Sequence, residues 1–92
     1  MSSPVTWNDC LIFERQSVDL TARLFRYPGN FAMRAHAHDQ RGISVVLGGA
    51  VVEEADHASV TAMAGWAVVK PAGTVHTNRF GPTGATVLAL VR

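Results

Sequence analysis

The ten residues "MRAHAHDQRG", Met33 to Gly42, hold two of the chain's four histidines, at positions i and i+2. In a β-strand, side chains two apart point to the same face. Read as a strand, "FAMRAHAH" (Phe31–His38) puts Arg34, His36 and His38 on one face and Met33, Ala35 and Ala37 on the other. Two imidazoles about 7 Å apart along one strand reach a single ion from the same side, which is two thirds of a metal site. Two strand histidines hydrogen-bonded to their neighbours fit the same pair, so the pair alone does not decide.

A third histidine shifts the balance. His76 closes "GWAVVKPAGTVH", in which Gly65 and Pro71-Ala72-Gly73 each mark a turn. The segment therefore reads as a short strand between two turns, with His76 just inside the next strand. A turn that tight carries His76 over the sheet that bears His36 and His38. Three imidazoles with open positions make a workable transition-metal site.

Outward from these segments the chain reads as strand almost throughout. The candidates are "CLIFER" (10–15), "VDLTARLFRY" (18–27), "ISVVLGG" (43–49), "AVVEE" (50–54), "ASVTAMA" (58–64), "WAVVK" (66–70), "TVHTNRF" (74–80) and "GATVLALV" (84–91). Pro28-Gly29-Asn30, "ADH", Gly65, "PAG" and "GPTG" interrupt them as turns. A helix over the alanine-rich "HASVTAMAGWAVV" competes with two of these strands, and Gly65 and the β-branched residues argue for strands. Eight or nine short strands with little or no helix predict an all-β sandwich or barrel. Phe13, Phe25, Tyr27 and Phe31 read as barrel filling, Trp7 and Trp66 as core or interface, and His57 as a solvated turn residue.

At 92 residues the chain is one domain, residues 1–92. Only 16% of residues are charged, against about 25% in typical soluble domains. With glycine included, apolar residues reach about 55%. Surplus apolar surface on so small a domain points to a homodimer. The net charge of +1 and the scattered arginines leave no phosphate-tracking stripe, which argues against nucleic acid. No apolar run approaches a bilayer span, and the N-terminus has no secretory start. The single cysteine, Cys10, fits a reducing cytoplasm.

The two histidine segments resemble the two motifs of the cupin superfamily, over Gly29 to Phe80. In the first motif (about 29–49), His36 and His38 match the His-x-His pair and Gly49 the closing glycine, while Gly42 stands where that family has glutamate. Gly29 lies one residue further from His36 than the opening glycine of the pattern. In the second motif (about 65–80), Gly65, Pro71, Gly73 and His76 match at every spacing, and Phe80 takes the place of the final asparagine. The resemblance implies a small cupin-type β-barrel, also described as a jelly roll or double-stranded β-helix. Within the superfamily the phrases look most like the N-terminal sensing barrels of AraC-type regulators, here without the helix-turn-helix domain.

By that resemblance His36, His38 and His76 are the metal ligands, for zinc, nickel, iron or copper. The missing glutamate weakens the site for hard ions and leaves open that it holds no metal. Glu53 or Glu54 would replace that carboxylate only if their strand curled inward, which is not expected. Arg34 and Asn78, on the predicted faces of the histidines, are candidate contacts for a small-molecule ligand; a barrel-mouth arginine and an ordinary strand-edge asparagine are the alternatives. The expected role is a stand-alone sensing or sequestering module. The alternative is a metal-dependent dioxygenase, isomerase or lyase, for which no general base is evident.

Overall fold

The computed structural model describes residues 6–92. The expectation that the N-terminus has no secretory start falls in part on residues 1–5, outside the described residues. A 3-10 turn at Trp7–Cys10 leads into seven strands: β1 (Leu11–Gln16), β2 (Thr21–Tyr27), β3 (Ala32–His36), β4 (Gly42–Ala55), β5 (Ala58–Met63), β6 (Ala67–Lys70) and β7 (His76–Val91). Every pairing is antiparallel. This is the all-β architecture that the alternation and turn residues predict. The alanine-rich stretch that competes as a helix forms β5 and β6 instead.

Two long strands organise the fold. β4 has 14 residues and β7 has 16, and each merges two segments that the sequence reading divides at glycines. The first half of β4 pairs with the second half of β7, giving a five-stranded sheet in the order β1-β2-β7-β4-β6. The second half of β4 pairs with the first half of β7, giving a four-stranded sheet, β3-β7-β4-β5. Both strands thus cross from one sheet to the other, and the two sheets enclose the core.

The crossings need glycine. Register shifts fall between Val46 and Gly48 and between Gly49 and Val51. Gly49 has φ +75°, and a Cβ there would lie 2.0 Å from the Gly84 carbonyl oxygen. Gly84 also has φ +75°, and its Cβ would lie 2.1 Å from the Tyr27 carbonyl oxygen. The backbones of β2, β4 and β7 touch here without side chains between them, as a β-bulge corner requires.

The core gathers Phe25, Tyr27, Val46, Val51, Phe80 and Val87. Tyr27 stacks on Phe80 with ring centroids 4.1 Å apart, and Phe25 and Phe31 flank it at 5.4 and 5.9 Å. Burial pushes the Tyr27 hydroxyl pKa far up, so the ring is a neutral wall. Phe13 departs from its expected place inside the barrel. It pairs with Leu24 on the outer side of β1 and is 54% exposed. Trp7 and Trp66 are likewise about half exposed rather than core.

Candidate metal centre

β3 lies beside the first half of β7, with His36 directly opposite His76. His38 sits two residues past the end of β3, and its carbonyl accepts a hydrogen bond at 2.9 Å from the Gly73 amide. That bond ties the His-x-His segment to the Pro-x-Gly turn. Gly73 itself has φ +80°, which makes the turn tight enough to begin β7 at His76. The three rings meet with centroids 4.3 to 5.3 Å apart, and one ring nitrogen of each lies within 4.8 Å of the others.

The outer nitrogens are already committed. His36 Nδ1 donates to the Arg34 carbonyl at 2.6 Å, and His76 Nδ1 donates to the Thr74 carbonyl at 3.3 Å. A carbonyl only accepts, so Nδ1 carries a proton in each ring, and the neutral form of each then has its lone pair on Nε2. His76 is 5% exposed, and its Nε2 is buried without a hydrogen-bond partner. Leaving such an acceptor unpaired costs about 1–3 kcal/mol unless something binds it. Burial, the Lys70 charge and the His36 charge hold the His76 pKa below its ordinary 6.5. Burial and the neighbouring imidazoles do the same for His38. Neutral imidazoles with free Nε2 lone pairs are the form that binds metal.

The side-chain faces differ from the simple alternation. A bulge between Met33 and His36 sets Arg34 and Ala35 against a single partner residue, Thr77. Met33 and His36, three apart, therefore both face inward, with Met33 packed against the core. Arg34 is exposed and lines the same cavity as His36 and His38. Asn78 does share the His76 face and is 2% exposed. His57, exposed at φ 65° in the β4–β5 turn, stands apart from the site as expected.

Glu53 overturns its expectation. It lies opposite Asn78 in the second half of β4, and its Oε1 accepts from Asn78 Nδ2 at 3.1 Å and from Lys70 Nζ at 2.9 Å. The same oxygen is 3.8 Å from His76 Nε2. Burial raises the Glu53 pKa, but the bond and charge of Lys70, with help from Asn78 and His76, outweigh it and keep the carboxyl below its ordinary 4.5. Lys70, the only lysine, escaped the sequence reading. Its alternation with Val68 on the inner face of β6 is the signal that would have found it.

Below this cluster lies a cavity of about 700 Å³. His36, His38, Glu53, Lys70 and Asn78 line one end, and Phe25, Tyr27, Phe31, Val46, Phe80 and Val87 line the apolar body. Cys10 takes no part; its buried thiol donates to the Thr6 carbonyl, and burial with Asp9 nearby raises its pKa.

No protein-family model and no curated protein sequence matches this chain. Solved structures do match. A cupin-2 domain protein from Shewanella frigidimarina NCIMB 400 superposes with TM-score 0.72 at 20% identity, over 85% of this chain and 78% of its own. The chain has the cupin fold. The cupin barrel also superposes on a protein of unknown function from Rhizobium leguminosarum bv. viciae 3841 with TM-score 0.80 at 20% identity, over 99% of this chain and 96% of that one. The DMSP lyase DddQ from Ruegeria pomeroyi DSS-3 gives TM-score 0.81 at 20% identity, over 97% of this chain and 54% of that one. At such identities the likeness concerns the fold alone.

Proposed function

We propose that this cupin barrel binds one divalent transition metal through His36, His38 and His76, and holds a small organic ligand in the cavity beneath. The observation that carries this reading is the buried, unpartnered Nε2 of His76 beside two further imidazoles. An imidazole set suits zinc, nickel, iron or copper, and a bound ion would supply Lewis acidity at its open positions. The aromatic wall of Tyr27, Phe31 and Phe80 suits an apolar or ring-bearing ligand body, and Asn78 and Arg34 are the polar contacts at the metal end and the rim. A sensing or sequestering role rests on the likeness to AraC-type barrels read in the sequence. The single, buried cysteine supports a cytoplasmic setting; among the described residues no helix is long and apolar enough to cross a membrane.

The enzyme alternative gains one specific support. The sequence offers no evident general base, yet Glu53 and Lys70 place a carboxylate and an amine in the cavity beside the imidazoles. A lyase or isomerase would use Glu53 to take a proton from the ligand.

Elemental analysis of protein purified without added metal, followed by melting with zinc, nickel or iron(II), tests the reading. Metal at a thousandfold of its Kd adds about 4 kcal/mol, which raises the melting temperature of so small a domain by about 15 °C or more. Absence of copurified metal together with unchanged melting in all three ions contradicts it.

We also propose a homodimer through the outer face of the five-stranded sheet. Phe13, Leu24, Leu88 and Val45 form one register row across four strands, with Ile43, Leu47 and Val69 exposed beside it. Five strands at about 4.8 Å spacing offer a largely apolar face, with Arg15 on β1 and Arg26 on β2 as its charges, which a second copy covers at the scale of about 800 Å² per partner. Light scattering is expected to give a mass twice the 9.9 kDa of the chain, and Leu88→Lys is expected to halve it. A wild-type monomer at micromolar concentration contradicts the dimer.

A further inference from the structure

Gly42, the position that lacks a carboxylate in the histidine segment, pairs across β4 and β6 with Lys70. A Cβ at Gly42 would meet the Leu90 carbonyl oxygen at 2.8 Å, so the backbone leaves no room for a side chain there. The lysine opposite reaches inward instead, and its ammonium is matched by Glu53 from the far half of β4. Two atoms bound to one ion at bonds of about 2.1 Å stand roughly 3.0–4.2 Å apart, depending on geometry. Glu53 Oε1, at 3.8 Å from His76 Nε2, is already within that span. Two buried acceptors in the same cluster lack donors, His76 Nε2 and Asn78 Oδ1. Their residues are 5% and 2% exposed. An acceptor-rich pocket of this kind calls for a cation.

Resting on the three-histidine reading, we propose that Glu53 is the fourth metal ligand, supplied from a different strand than Gly42, and that Lys70 competes with the metal for its carboxylate. Lys70 thereby sets the affinity of the site. With the carboxylate held by the ammonium, the site is weaker than four ligands imply. Freed from Lys70, Glu53 adds both a donor atom and a negative charge.

Cobalt(II) and zinc titrations of the full chain test this with a double-mutant cycle. Glu53→Gln is expected to weaken binding at least tenfold and to change the cobalt absorption spectrum. Lys70→Met is expected to tighten binding at least tenfold. The decisive comparison is Glu53→Gln/Lys70→Met against Lys70→Met, because neither leaves a lysine to neutralise. A tenfold or larger gap there supports ligation by Glu53. Equal affinities with equal spectra overturn it and leave Glu53 as a counter-ion for Lys70 alone. A wild type that binds neither ion overturns this proposal and the three-histidine reading together, whereas a wild type that binds with no gap in the cycle overturns only this one.

Discussion

Replacing His76 by alanine is expected to weaken zinc or nickel binding by about 10²–10³-fold. Structural zinc sites of four ligands bind with about 10–16 kcal/mol. One ligand is therefore worth about 3–4 kcal/mol, or two to three decades in Kd. His76 has the most to lose. It is the buried member of the set, and its Nε2 has no protein partner to which it reverts. The metal-free protein is expected to lose little, because removing the ring leaves a small cavity but also removes an unpaired buried acceptor. The signature is thus a melting temperature that barely moves without metal and no longer rises with it. His57→Ala, exposed and far along the chain in the β4–β5 turn, is expected to bind as wild type. Equal losses from His57→Ala and His76→Ala on titration would show that metal binds unspecifically.

The second large effect concerns the corner where β4 changes sheets. Gly49→Ala is expected to cost about 3–5 kcal/mol, from left-handed backbone strain at φ +75° plus a Cβ 2.0 Å from the Gly84 carbonyl. A chain of this size holds on the order of 5–14 kcal/mol in total. Gly48→Ala, one residue earlier, is the internal control. Nothing lies within 4 Å of its Cβ, and it is expected to be neutral or to gain a few tenths of a kcal/mol. Urea unfolding of the two variants side by side measures the difference. Similar midpoints would mean that the close approach of β4 and β7 does not exist in solution.

The bulges mark where the sequence could be read and where it could not. Period-two alternation picked out the strand-forming stretches, because Phe25 with Tyr27, and His76 with Asn78, keep their phase along single straight segments, but it divided β4 and β7 at their glycines. It failed wherever an inserted residue resets the phase. Val46 and Val51, five apart, are both buried, and so are Phe80 and Ala85. Met33 and His36, three apart, both face the cavity. Nothing in the residues of a bulge announces which neighbour will be skipped; that is decided by how two sheets close around one core. The three histidines were legible because their spacing matched two motifs and the turn glycines fixed the path between them. Glu53 and Lys70 were not, since their inward phase depends on the bends of β4 and on a pairing between β4 and β6.

The proposed function stands on three imidazoles from two separate segments gripping one ion at the end of the cavity. Anomalous diffraction at the absorption edge of the metal, from crystals grown with one equivalent of zinc or nickel, locates that ion directly. One strong peak per chain is expected within bonding distance of His36, His38 and His76. A peak on His57 or on surface carboxylates alone, with the three imidazoles bare, would contradict it.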